Sequence, residues 1–145
     1  MTIPNSVTTI GDSAFYACSG LTNVTIPDSI TEIKDNMFGH CASLTNITIP
    51  ESITTIDNAA FYNCKSLTSV TIPDSVTSIG AQAFSGCSKL TSVTFADTTS
   101  TWYYTSRSDY TDGTAIDVTN AATNATNLTE TWKSQYWYKE ASSIE

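Results

Sequence analysis

Residues 67–89 read Leu-Thr-Ser-Val-Thr-Ile-Pro-Asp-Ser-Val-Thr-Ser-Ile-Gly-Ala-Gln-Ala-Phe-Ser-Gly-Cys-Ser-Lys, and the pattern starts again at Leu90. Leu21, Leu44, Leu67 and Leu90 share one position of a 23-residue period (44 − 21 = 23). Phe15, Phe38, Phe61 and Phe84 share a second, and Cys18, Cys41, Cys64 and Cys87 a third. Pro4, Pro27, Pro50 and Pro73 hold a fourth, each followed two residues on by Ser6, Ser29, Ser52 or Ser75. A unit this short cannot bury its own apolar face, so it must stack on copies of itself; the period therefore predicts a solenoid.

Within each unit the steps Leu21, Val24, Ile26 and Leu67, Val70, Ile72 end in strand alternation with β-branched residues, which suit a pleated, half-buried surface. Parallel strands are expected over 21–26, 44–49, 67–72 and 90–95, one per coil. Pro27, Pro50 and Pro73 stop them, because proline has no N–H for a ladder. A second apolar pair (Val7 and Ile10, Ile30 and Ile33, Ile53 and Ile56, Val76 and Ile79) predicts a short extended run on the opposite side. The segment from Ala-Phe or Met-Phe to the cysteine suits one helical or 3₁₀ turn. The phenylalanines belong in the core, since a lone coil buries too little to offset its ordering entropy and several stacked coils do not.

The Ile-Pro-x-Ser-Val, Ile-Gly-x-x-Ala-Phe and Cys-x-x-Leu elements over residues 2–95 resemble the BspA-type bacterial leucine-rich repeats, found in surface proteins of oral, gut and treponemal bacteria and in some parasitic protists. The resemblance implies a right-handed leucine-rich-repeat superhelix, with a parallel sheet on one face and short strands and turns on the other. Ser29, Ser52 and Ser75 stand where the common leucine-rich consensus has Asn or Cys, so a serine ladder replaces the asparagine one, or that ladder is absent. The family's association with host matrix proteins and other microbes implies a host or microbial surface protein as partner, and a location at the cell surface or in the medium.

Residues 96–145 break the period. Their aromatics (Trp102, Tyr103, Tyr104, Tyr110, Trp132, Tyr136, Trp137 and Tyr138) are too many for a disordered tail. Domain 1–95 is thus expected to be the solenoid, of about four coils, and 96–145 a C-terminal cap over its last coil. Leu128, Trp132 and Tyr136 have the four-residue step of an amphipathic helix. The chain enters the repeat part-way, at Thr2-Ile3-Pro4, so a longer parent protein that carries the targeting signal is expected, as is self-association through an uncapped N-terminal edge.

A net charge of −8, with only six Lys and Arg, disfavours nucleic acid. Apolar runs of at most five residues leave nothing to insert into a membrane. The cysteines follow the repeat and lack the paired spacing of a metal site, so they are read as reduced and buried, with no metal or cofactor implied. Parallel Cβ vectors one strand apart also suit a disulfide poorly. Asp28, Glu51 and Asp74 align at one repeat position, where a Pro-Asp-Ser turn explains them better than Ca²⁺. His40 replaces Ala17, Asn63 and Gly86 of the other coils and reads as an exposed substitution. With no phosphate loop, zinc helix or nucleophile elbow, no catalytic residue is assigned.

The candidate binding residues lie between the inward-facing strand positions: Asn23 and Thr25, Asn46 and Thr48, Ser69 and Thr71, Ser92 and Thr94, which form two uncharged rows. Threonine is also simply a good solvated strand residue. An ice-binding surface is disfavoured because one row mixes Asn and Ser. Trp102 joins the candidates as a stacking residue, and with Trp137 it supports an alternative carbohydrate-binding reading of the C-terminal segment. The asparagine sequons at Asn23, Asn46, Asn124 and Asn127 are read as chance matches in a Thr-rich chain. The leading expectation is a non-enzymatic protein-binding or adhesion module; the rival is a spacer with no ligand of its own.

Overall fold

A computed structural model describes residues 1–140; the last five residues of the expected C-terminal module lie outside the described residues. The sheet-face strands are β1 (Asn23–Thr25), β3 (Asn46–Thr48), β5 (Ser69–Ile72) and β7 (Ser92–Phe95), each inside its predicted span. Between them run β2 (Glu32–Ile33), β4 (Thr55–Ile56) and β6 (Ser78–Ile79) on the opposite side. Every parallel register joins repeat equivalents: Asn23 with Asn46, Glu32 with Thr55, Thr55 with Ser78, and Ser69 with Ser92. Thr2 forms a parallel bridge to Thr25 ahead of the first strand. The fold is a repeat fold of parallel strands, with short strands because each serves only one side of a coil.

The prolines end strands as expected, and each starts a turn: Val7, Ile30, Ile53 and Val76 N–H groups donate to the carbonyls of Pro4, Pro27, Pro50 and Pro73 at 3.0–3.1 Å. The third side of the coil corrects the expected helical turn. Residues 11–18 form successive tight turns (Ala14 N–H to Gly11, Tyr16 to Ser13, Cys18 to Phe15) with Ser13 and Ala17 both at φ 58°. The left-handed positions recur at Asn36 and His40, Ala59 and Asn63, and Gln82 and Gly86. Ser13, Phe15 and Ala17 instead give their N–H groups to the carbonyls of Asp35, Met37 and Gly39 in the next coil. A helix would have satisfied those donors internally, and the neighbouring coil satisfies them better at this spacing. At Gly86 a Cβ would stand 1.8 Å from Asn63 Oδ1, so the position takes only glycine beside that asparagine.

Side chains pile up in the same register. The Phe15, Phe38, Phe61 and Phe84 rings stack with centroids 5.2–5.5 Å apart and planes within 11°. Leu44, Leu67, Ile33, Ile53, Ile56 and Ile79 are completely buried around them. The cysteines are free, and each donates its thiol to a phenylalanine carbonyl one coil back: Cys41 to Phe15, Cys64 to Phe38 and Cys87 to Phe61, all at 3.1 Å. Burial pushes the Cys41 thiol up to about 11. The neighbouring Cys87 sulfur, then burial, raise Cys64 further still. Of the serine file, Ser29 donates to the Val7 carbonyl at 2.6 Å, whereas the buried Ser52 and Ser75 hydroxyls have no partner among the described residues.

The segment from 96 onward adds β8 (Trp102–Thr105), β9 (Thr114–Ile116), α1 (Ala121–Thr126) continued by a π-helical turn (Asn127–Thr131), and β10 (Tyr136–Lys139). Tyr136 therefore lies on a strand, a correction to the expected helix through Leu128, Trp132 and Tyr136; the helix stops at Thr131 because the chain must turn back to pair. Strand β10 runs antiparallel to both β6 and β8, with Trp137 beside Ile79 and Tyr104, giving the sheet order β2-β4-β6-β10-β8-β9. The last coil's donor at Gln82, which no further coil meets, finds the Lys133 carbonyl at 2.7 Å. At the other sheet, Asn124 of α1 is completely buried and gives Nδ2 to the carbonyls of Val93 at 2.9 Å and Val118 at 2.8 Å. Asn120 caps α1 by accepting from Thr123 N–H.

Lys139 fastens this segment to the coils through a backbone carbonyl and is itself held by an ion pair within the segment. Lys139 Nζ lies 2.9 Å from Asp97 Oδ2, donates also to the Asp74 carbonyl, and sits 5.9 Å from the Trp102 ring centre, with both charged side chains nearly buried. The Lys139 ammonium holds the Asp97 carboxyl well below the usual carboxylate range. A depressed folded value contributes stability that is complete above the unfolded value near 4 and is lost as pH falls through the folded one.

Three outcomes are expected. With a thiol-specific chromogenic reagent at mild alkaline pH, half-buried Cys18 reacts while Cys41, Cys64 and Cys87 wait for denaturant; prompt labelling of Cys64 would mean that the stack opens. Asn124→Ala strands two buried carbonyls and lowers unfolding free energy by about 3 kcal/mol in a denaturant titration. Asp97→Asn is less stable than the parent at neutral pH, and that difference shrinks as pH is lowered below about 4. A difference constant down to pH 2 would remove the ion pair from the account.

Candidate functional site

The exposed rows lie where the pleat puts them. In β1 and β3 the outer residues Asn23, Thr25, Asn46 and Thr48 are exposed, while Val24 and Ile47 point inward. In β5 and β7 Ser69, Thr71 and Thr94 are exposed and Ser92 is half-buried, while Val70 and Val93 point inward. Register sets Asn23 beside Asn46, Thr25 beside Thr48, Ser69 beside Ser92 and Thr71 beside Thr94. Eight of the nine candidate residues thus share one face.

That face is not a continuous sheet. Strands β1 and β3 form one ladder and β5 and β7 another; β3 and β5 lie side by side with no ladder between them. A groove of about 280 Å³ opens there, lined by Asn46, Thr48, Ser69 and Thr71 from the candidate rows, by Ile47, Ile49 and Val70, and by Glu51, Pro73 and Ala96. Four candidates therefore meet in one concavity, and the other four flank it. Sequence reasoning missed Glu51, Pro73 and Ala96, since Glu51 reads as a turn residue and Ala96 follows the end of the repeat. It also missed a file of threonines before the strands: Thr45 and Thr91 donate their hydroxyls to the carbonyls of Thr22 and Thr68. The groove mixes amide, hydroxyl and one carboxylate with an apolar floor, a lining that suits shallow polar contact more than chemistry.

Three expectations need correction or refinement. Trp102 is 1% exposed, set edge-on to Phe95 at 4.9 Å, and Trp137 is as deeply buried over the same ring, so neither offers a face to a ligand. Both cover the apolar end of the last coil, which the sequence could not separate from a surface platform. His40 is half-buried, not exposed: its ring sits edge-on between Tyr16 and Tyr62 at 5.2 and 5.3 Å. Asp28, Glu51 and Asp74 are exposed on their turns as expected, but those turns are closed by the Ile30, Ile53 and Val76 N–H groups donating to the carbonyls of Pro27, Pro50 and Pro73, not by the acidic side chains. Asn124 and Asn127 are buried, which agrees with reading their sequons as chance.

Among known proteins, the model of the BspA type leucine rich repeat region, in six copies, matches residues 1–109. A leucine rich cell surface protein from Faecalibacterium prausnitzii is 37% identical, with a TM-score of 0.64 over 68% of this chain and 26% of its own. A leucine-rich repeat protein of Bacteroides ovatus is 38% identical, with a TM-score of 0.60 over 64% of this chain and 24% of its own. The leucine rich repeat protein of T. pallidum is 27% identical, with a TM-score of 0.59 over 65% of this chain and 50% of its own. The chain thus spans about a quarter of the first two and half of the third. No curated protein matches it significantly. No helix among the described residues is long and apolar enough to cross a membrane. By its repeats, its parallel strands and these likenesses, the chain belongs to the BspA-type leucine-rich repeat family of bacterial proteins.

Proposed function

We propose that the chain is a non-enzymatic adhesion module of a cell-surface or secreted bacterial protein, a right-handed solenoid whose residues 96–140 cap the last coil. Its partner is a protein on a host or microbial surface, held by the polar face of β1, β3, β5 and β7. The observation that carries the reading is the groove between β3 and β5, placed at the centre of an otherwise uncharged file of Asn, Ser and Thr. Around it the buried phenylalanine stack keeps the backbone rigid, so binding costs little ordering entropy. The cell-surface description of the Faecalibacterium relative supports the location. The burial of Trp102 and Trp137 removes the main support for carbohydrate binding by the C-terminal segment.

The same rigid stack favours the spacer as the second reading, and one experiment separates them. Beads carrying the chain are applied to host-cell monolayers and to bacterial cells, with and without protease treatment of the target. Thr48→Tyr with Thr71→Tyr fills the groove with neutral residues that strands accept, so circular dichroism stays unchanged. Attachment is expected to fall about ten-fold and to disappear on protease-treated targets. Attachment equal to the parent's would leave the spacer.

A further inference from the structure

Resting on that reading, we propose that the groove between β3 and β5 seats an arginine or lysine side chain from an extended basic segment of the partner protein.

The argument begins with what the groove offers. Glu51 is the only charged residue in its lining, and none of the chain's six Lys and Arg reaches it. Asn46, Thr48, Ser69 and Thr71 place amide and hydroxyl oxygens around the same space. β3 and β5 share no ladder, so their facing edges keep N–H and carbonyl groups alike free of a ladder partner, and the carbonyls among them add acceptors. A guanidinium or ammonium group consists only of donors, and it brings an alkyl stem that Ile49, Pro73 and Ala96 can cover. A carboxylate ligand would meet Glu51 as a like charge, and a neutral one would leave Glu51 unpaired.

Glu51 also does not stand alone along this lip. Asp28 and Asp74 occupy its repeat position one coil to either side, and all three are exposed. Coils are spaced about 4.8 Å apart. An extended segment that crosses them therefore passes a line of carboxylates on one side and a neutral hydroxyl face beneath. Lys139 touches the Asp74 carbonyl but pairs with Asp97, and among the described residues Asp28, Glu51 and Asp74 form no salt bridge. A chain of net charge −8 also draws such a segment in by long-range attraction.

The probe is a short fluorescent peptide that alternates Arg with Ser, titrated with the whole chain and followed by anisotropy; peptides alternating Gln or Glu with Ser are the comparisons. The Arg peptide is expected to bind and the other two not. Glu51→Gln should weaken it roughly five-fold or more. Asp12→Asn with Glu32→Gln removes two exposed charges outside the groove lining and should weaken it less than about two-fold. An equal loss from that remote pair would reduce the effect to overall charge and overturn the proposal, as would tight binding of the Gln peptide. Cell attachment that is lost in the Thr48→Tyr, Thr71→Tyr variant but intact in Glu51→Gln would sink the basic partner and leave the binding face standing. Attachment unchanged in both would sink both.

Discussion

Hydrogen bonding from one coil to the next is the constraint from which the rest of the molecule follows. A coil has few partners for its own backbone, since its strands are two to four residues long and its third side is a run of turns. Its alternate N–H groups along 13–17 reach the carbonyls of the following coil, and the following coil does the same to the next. Once this pairing fixes the offset, side chains at equivalent positions must lie over one another. The phenylalanine stack, the thiol file and the isoleucine core are then consequences of one register. Left-handed backbone at Asn36, His40, Ala59 and Asn63 is the conformational cost of turning alternate donors outward, and the buried column offsets it.

Such an arrangement leaves the final coil with donors, acceptors and apolar surface that no equivalent coil meets. Residues 96–140 supply replacements of a different kind for each: the Lys133 carbonyl accepts from a turn N–H, Asn124 Nδ2 donates to the Val93 strand carbonyl, β10 pairs with β6, and two tryptophans cover Phe95. This explains why Trp102 and Trp137 are buried in a segment so rich in aromatic residues. Its large rings do the covering that a whole further coil would otherwise do. Lys139, paired with Asp97 just after β7, donates to the Asp74 carbonyl and so holds the end of β10 against the turn after β5.

The repeat was legible because each of its positions has a separate physical reason: proline stops a ladder, branched residues suit the pleat, phenylalanine fills the space between coils. Eight candidate residues fell on one face because strand alternation leaves no other choice for Thr25 between Val24 and Ile26. The turns were misread because helix and tight-turn runs share the same composition of small residues, and only the next coil's carbonyls decide between them. Trp102 was misplaced because aromatic residues serve equally as covering and as contact surface, and burial is not a property of the residue type. Asn124 stands out in the sequence only as part of a chance sequon, since a buried amide that completes a distant strand has no local signature. The gap between β3 and β5 follows from no sequence difference we can name, as Asn46-Ile47-Thr48 and Ser69-Val70-Thr71 suit a ladder alike.

The turns donate forward to the following coil while Thr45, Thr54 and Thr77 donate back to the preceding one, so the two ends of the stack differ and it has a head and a tail. Any material with two complementary ends adds to itself without limit unless one end is blocked. Lys133, Asn124 and β10 occupy the tail with groups that no incoming head can displace cheaply. The consequence is a terminator: the C-terminal end is withdrawn from head-to-tail polymerisation, and a protein made of near-identical layers avoids becoming a fibre there.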